Sequence, residues 1–134
     1  MSDFKDFMLG NAVANDEVFE FKISRFKSPF KLKAITAEEE EECRRDATSR
    51  VKVKKNRYNN ELDTIKYQNL LTIKTVIYPD LNNAELQNSY GVMGAENLLT
   101  KMLLSGELLA LHSKVNEVNG FNSDDEDLVE EAKN

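Results

Sequence analysis

Phe19-Glu20-Phe21-Lys22-Ile23-Ser24 and, after a break, Phe30-Lys31-Leu32-Lys33-Ala34 are the stretch that decides the fold class. Phe19, Phe21 and Ile23 alternate with Glu20, Lys22 and Ser24, which is the period of a strand buried on one face. Lys27-Ser28-Pro29 punctuates the run, and Phe30, Leu32 and Ala34 then alternate with Lys31 and Lys33. The pattern predicts an antiparallel hairpin over residues 17–35 with an aromatic inner face. It sets Glu20 opposite Lys31 or Lys33, a pair that adds a few tenths of a kcal/mol. Two strands are marginal alone in water, so helices must cover the inner face.

Those helices follow from residue 36 on. Thr36-Ala37-Glu38-Glu39 is a capping-box signature, in which the hydroxyl and the Glu satisfy each other's free amides. Acids then precede bases, which suits the helix dipole and spaces Glu40 from Arg44 and Glu41 from Arg45 as i,i+4 pairs. Ala37, Cys43 and Ala47 are its apolar members, so this is a surface helix. Residues 50–60 read as a basic loop or a poorly packed ribbon, and the alternation of Val51 and Val53 with lysines leaves a short edge strand open as well. From Glu61 the positions of Leu62, Ile65, Leu70, Ile73, Val76 and Ile77 predict a helix that Tyr78-Pro79 stops. A short helix capped by Asn82, with Leu81 stapled to Leu86, runs to Ser89-Tyr90-Gly91. A third begins near Gly94 and is interrupted at Ser105-Gly106. The last carries Leu108, Leu109, Leu111, Val115 and Val118, and Gly120 supplies a left-handed cap that folds Phe121 back.

The expected fold is therefore α+β and mostly α, with an N-terminal antiparallel β-hairpin packed on a C-terminal cluster of about four to five helices. The expected organisation is a flexible lead over 1–15, one globular domain over 16–122 and an acidic disordered tail over 123–134.

Composition narrows the function. The chain has 134 residues, 40% apolar and 31% charged, with a net charge of −6. That length suits one domain with a single core. No apolar run nears the ~20 residues that span a bilayer, and residues 1–15 lack the pattern of a secretory signal. A lone cysteine, Cys43, fits a reducing compartment. Cytoplasmic placement is the expectation, with no membrane partner.

Catalytic chemistry finds no foothold. His112 stands alone among leucines, with no nucleophile elbow in the sequence. The glutamates beside Cys43 disfavour its thiolate. The five glycines form no phosphate loop. Glu38–Glu42 fan around a helix axis and do not converge on a metal, and Asp124–Asp127 lack the spacing of a calcium loop. No catalytic, cofactor-binding or metal residue is assigned, and no cofactor is expected. A nucleic-acid surface would rest on the basic segment 50–58, with Tyr58 stacking and Lys52, Lys54 and Lys55 gripping phosphates, yet the chain is acidic overall.

What remains is an excess of Leu and Met. Leu98-Leu99, Met102-Leu103-Leu104 and Leu108-Leu109 are adjacent apolar groups that one helix cannot all turn inward. Flexible apolar side chains suit a groove for another protein's helix. The candidate partner-binding residues are Tyr90, Met93, Leu98, Leu99, Met102, Leu103, Leu108 and Leu109.

An ordered series of segments carries a family resemblance: Glu61-Leu62-Asp63-Thr64, Val76-Ile77-Tyr78-Pro79-Asp80-Leu81, Ala84 through Glu96 with its Tyr90-Gly91-Val92-Met93-Gly94 centre, and Val118-Asn119-Gly120-Phe121. Over residues 17–121 the chain resembles the XkdN-like tail assembly chaperones of bacteriophages and prophages. It departs at Ser105-Gly106-Glu107-Leu108, where members often have Pro-Gly-Glu and an aromatic. The resemblance implies a non-enzymatic chaperone in the cytoplasm of the bacterial host. Such a protein binds the tape measure protein until tail tube polymerisation, meets the tail tube protein as a further partner, and is absent from the mature virion. The alternative is a nucleic-acid-binding or structural tail accessory protein that uses the basic loop 50–58.

Overall fold

The computed structural model describes residues 4–121. The expected acidic tail, 123–134, lies outside the described residues. The hairpin forms as its alternation dictates: β1 (Phe19–Phe21) pairs antiparallel with β2 (Phe30–Leu32), with Glu20 opposite Lys31. Phe30 and Leu32 turn inward and are almost wholly buried, while Lys31 between them faces solvent.

The inner strand has a second neighbour that the periodicity hides. Val76–Tyr78 is a strand, β5, antiparallel to β2 on the side away from β1, so the sheet order is β1-β2-β5. The helix expected to run through Ile77 ends at Thr75. Val-Ile-Tyr is a poor helix ending and a good strand once β2 offers unpaired backbone. Lys33 donates its N–H to Thr75 O at 2.9 Å, which fastens the junction.

Helix α1 (Ala37–Asp46) starts with the expected box: Glu39 N–H donates to Thr36 Oγ1 at 3.2 Å and Thr36 N–H to Glu39 Oε1 at 3.0 Å. Arg44 pairs with Glu40, and the Tyr67 hydroxyl donates to the same carboxylate. Burial, then Glu40, push the Tyr67 phenol up to about 12. Cys43 and Ala47 are buried beneath this otherwise charged helix, and burial raises the Cys43 thiol.

Of the loop and the ribbon expected over 50–60, the ribbon forms, longer than expected, as a second hairpin of β3 (Thr48–Lys54) with β4 (Arg57–Leu62), closed by a turn at Lys55-Asn56 in which Asn56 has φ 64°. Every residue of it except Val51 is exposed. Helix α2 (Thr64–Thr75) therefore starts later than Glu61, capped by Asp63, which accepts from Lys66 N at 3.0 Å. Leu62 and Ile65, expected on its apolar stripe, are exposed.

Helices α3 (Ala84–Ser89), α4 (Ala95–Met102) and α5 (Ser105–Val118) follow, making five α-helices with α1 and α2 among the described residues. Asn83, not Asn82, caps α3, accepting from Leu86 N at 2.8 Å. The break between α4 and α5 falls at Leu103–Leu104, and Ser105-Gly106 opens α5 instead of ending α4. Gly120, at φ 76°, ends α5 with the paired bonds Phe121 N to Asn116 O and Gly120 N to Glu117 O.

The core gathers Phe30, Leu32 and Val76 from the sheet with Leu71, Leu98, Leu99, Leu111 and Val115 from α2, α4 and α5. Helix α2 packs against α1, α4 and α5. Its buried polar groups are all engaged. Thr72 Oγ1 donates to Gln68 O, Thr75 Oγ1 accepts from Asn119, and Asn69 meets His112 Nε2 at 3.1 Å. Asn119 also accepts from Ile35 N at 2.9 Å, so one amide ties the exit of β2 to the ends of α2 and α5.

Candidate binding groove

Four separate pieces of chain meet beside the open end of the three-stranded sheet. The β1–β2 connection supplies Phe26, Pro29 and Phe30, the end of β5 supplies Tyr78 and Pro79, α3 and its cap supply Leu86 and Tyr90, and α4 supplies Met102. Together with Lys27 and Ser28 they line a groove of about 330 Å³, near the small end of volumes that ligand sites use, ~300–1,000 Å³. Aromatic rings, proline, Leu and Met dominate the lining. Phe26 stands edge-on to Phe30 with centroids 5.7 Å apart.

The wall carrying Phe26 is held from below. Arg25 grips Glu107 with two bonds, Nε to Oε2 at 2.8 Å and Nη2 to Oε1 at 2.5 Å, and gives Nη2 to Met102 O at 3.1 Å. Its guanidinium also lies 5.1 Å from the Phe26 ring centre. Glu107 accepts in addition from Leu104 N at 2.8 Å, closing the first turn of α5. Arg25 first, then that amide, hold the Glu107 carboxyl down at about 2. The β1–β2 turn is thereby clasped to the α4–α5 junction.

The opposite wall depends on the Tyr90-Gly91-Val92-Met93-Gly94 segment. Gly91 has φ 69° and Gly94 φ 91°, values that side-chain-bearing residues adopt at a cost, and they reverse the chain between α3 and α4. Gln87 binds this loop from inside: its Nε2 donates to Leu81 O, its Oε1 accepts from Gly94 N, and its carbonyl accepts from Val92 N. Tyr90 is held half-buried at the groove.

The eight residues expected to bind a partner divide three ways. Leu98, Leu99 and Leu103 are core residues, between 0% and 6% exposed, and face no partner in this conformation. Leu98, Leu99 and Met102 share one face of α4, and Leu103 turns inward because it sits in the extended break before α5. Met102 is also largely buried but reaches the groove floor, and Tyr90 forms its rim. Met93 and Leu109 are exposed at 84% and 64%, away from the groove lining, and Leu108 packs half-buried on the core. The sequence reading missed Phe26, Pro29, Tyr78, Pro79 and Leu86. Two of their signals were visible as mere punctuation, Lys27-Ser28-Pro29 and Tyr78-Pro79.

Elsewhere the chemistry is sparse. His112 is half-buried, and burial lowers its pKa. Among the described residues no group of His, Cys, Asp and Glu could hold a metal ion, and no helix is long and apolar enough to cross a membrane. A shallow hollow of about 480 Å³ between α1 and the second hairpin is lined by Glu41, Arg44, Arg45, Thr48 and Asn60. On that hairpin Arg50 lies 4.1 Å from the Tyr58 ring centre, covering one face of the ring.

Known proteins resemble this chain in sequence and, in one solved case, in fold. Residues 4–133 match the family described as "Phage XkdN-like tail assembly chaperone protein, TAC". The chain is 32% identical to the phage-like element PBSX protein XkdN of Bacillus subtilis (strain 168), over 98% of this chain and 94% of that protein. It is 34% identical to the uncharacterized protein YqbN of the same strain, over 98% and 93%. The crystal structure of YqbN superposes with a TM-score of 0.75 at 27% identity, covering 91% of this chain and 99% of that one. With its sequence matched almost end to end, this chain belongs to the XkdN-like family of phage tail assembly chaperones.

Proposed function

We propose that this chain is a non-enzymatic chaperone that binds the phage tape measure protein in the cytoplasm of the bacterial host. It keeps that protein soluble until tail tube subunits polymerise around it, and it does not stay in the mature virion. The observation that carries the reading is the apolar groove between Phe26 and Tyr90 in a member of a tail assembly chaperone family. A protein that guides assembly without chemistry needs a surface that takes up apolar side chains and releases them. A groove floored by Met102 and walled by aromatic rings suits the apolar stripe of a helical client. Tail tube protein then displaces the chaperone by binding the client more tightly.

The test is co-expression with the tape measure protein of the same gene cluster, reading its soluble yield and co-purification. Tyr78→Asp, at a half-exposed position, and Tyr90→Asp, at a partly buried one on the groove rim, should each weaken capture while circular dichroism stays native. Leu99→Asp is unsuited to this purpose, because Leu99 is fully buried and its loss unfolds the protein. An insoluble tape measure beside an abundant, folded chaperone would sink the proposal. So would finding the chain in purified tails by mass spectrometry.

A further inference from the structure

The second hairpin concentrates positive charge on a chain that is otherwise acidic. Residues 48–62 hold five cations and one carboxylate, so the net charge of −6 is the balance of +4 there and −10 elsewhere. Strand alternation sorts these groups. Thr48, Arg50 and Lys52 share one face with Asn60 and Tyr58, and Arg50 lies over the Tyr58 ring. Glu61, opposite Ser49, alternates onto the other face. The cationic face continues into the hollow beside α1, where Thr48 and Asn60 meet Arg44 and Arg45. Glu40 already holds Arg44, and Glu41 lines the hollow as well. Among the described residues, no carboxylate forms an ion pair with Arg45 or with any cation of the ribbon. A row of cations opening on a hydroxyl and an amide suits a run of carboxylates.

The sequence holds such a run, since residues 122–134 carry six carboxylates and a single lysine. It starts within reach. Asn119, at the end of α5, accepts from Ile35 N at the start of α1. The hollow borders α1 between Glu41 and Arg45, ~9–15 Å further along that helix. Asp124 to Glu131 lie three to ten residues past Phe121, a span of up to ~10–35 Å. Exposed ion pairs are weak singly, which disfavours a separate acidic chain or a second copy in dilute solution. A tether of this length instead brings all six carboxylates to the ribbon at an effective concentration on the order of millimolar. A nucleic acid, longer and more densely charged, would also have to approach the −10 on the rest of the chain. We propose that the carboxylates between Asp124 and Glu131 dock, within the same chain, on the Arg50–Lys52 face and its hollow. The contact shields the ribbon, so any other acidic partner must first displace the chain's own segment. It stands apart from the groove and from the tape measure reading.

The experiment attaches a nitroxide at Ala132→Cys in the full chain and follows the backbone amide signals of residues 48–62 by NMR. Cys43 is 2% exposed and takes up no nitroxide. The nitroxide should broaden the signals of Arg50 through Tyr58 at low salt. Raising salt to about 0.5 M, which screens charges beyond ~4–5 Å, should remove most of that broadening. Changing the six carboxylates to amides (Asp124→Asn, Asp125→Asn, Glu126→Gln, Asp127→Asn, Glu130→Gln and Glu131→Gln) should weaken it about threefold or more, with native circular dichroism. Arg50→Gln with Lys52→Gln should do the same from the other side. A nitroxide-bearing chain mixed with an isotope-enriched chain lacking the nitroxide should leave the ribbon signals sharp. Broadening indifferent to salt and to both sets of changes would overturn the proposal as mere proximity, and equal broadening in the mixture would overturn the same-chain seat. Ribbon signals untouched by the nitroxide would overturn it too, and their shift by a single-stranded oligonucleotide would then give the face to nucleic acid.

Discussion

The two β-hairpins are built on opposite terms. In β1–β2, Phe30 and Leu32 are buried and the strand between the neighbours is central. In β3–β4 nearly everything is exposed, and five basic residues between Arg50 and Arg57 face a single acid, Glu61. Both show the same backbone ladder, yet a ladder's net contribution is modest and the buried side chains decide stability. The first hairpin is part of the core. The second is a ribbon attached to it, free to carry charge because it carries no packing.

That contrast can be broken or sharpened by mutation. Leu32→Ala, in the centre of the sheet and 0% exposed, should cost ~2–5 kcal/mol in chemical denaturation. Asn119→Ala removes the acceptor for Ile35 N and the donor to Thr75 Oγ1, and should cost ~1–3 kcal/mol by leaving a half-buried amide and a buried hydroxyl unpaired. A loss near zero would show that the exit of the first hairpin needs no bolt.

The clasp at the turn is a smaller effect and depends on pH. Glu107 has its carboxyl pKa depressed from 4.5 to about 2, chiefly by Arg25. A depressed carboxyl pKa stabilises the fold above the unfolded value, and that stabilisation fades as pH falls from about 4.5 toward 2. Thermal melts across that window should show the loss in the natural protein and a shallower slope in Arg25→Ala. The smallest effect belongs to the ribbon. Val53→Ala, at a half-exposed bulge position, should stay within ~0.5 kcal/mol of the parent by the same denaturation. A cost near that of Leu32→Ala would mean that the ribbon is packed after all.

Legibility in the sequence followed the range of the causes. The β1–β2 pairing, the Thr36–Glu39 box and the Gly120 cap all arise between residues close along the chain, and each was readable, the register only to the choice of Lys31 or Lys33 opposite Glu20. Strand β5 was not, because Val76 and Ile77 continue the helical spacing of Ile73, and only the distant edge of β2 draws them into a ladder. The ribbon was only half legible: the alternation of Val51 and Val53 with lysines allowed it, but with no buried face nothing in the sequence chose it over a loop or gave its partner strand. The groove was hidden twice over. Its walls come from residues about 26–30, 78–79, 86–90 and 102, and one of those walls is the end of the missed strand. The leucine pairs of α4 misled because their adjacency suggested overflow to the surface, whereas the short helix packs against both α2 and α5.

The clasp from Arg25 to Glu107 and the bond from Ile35 to Asn119 join residues 82 and 84 positions apart. On a ribosome adding ~5–20 residues per second, the aromatic face of the first hairpin would wait roughly 4–16 s for the segment that covers it. For that interval a newborn tail chaperone displays Phe30 and Leu32 to water, and is itself a chain in need of shelter.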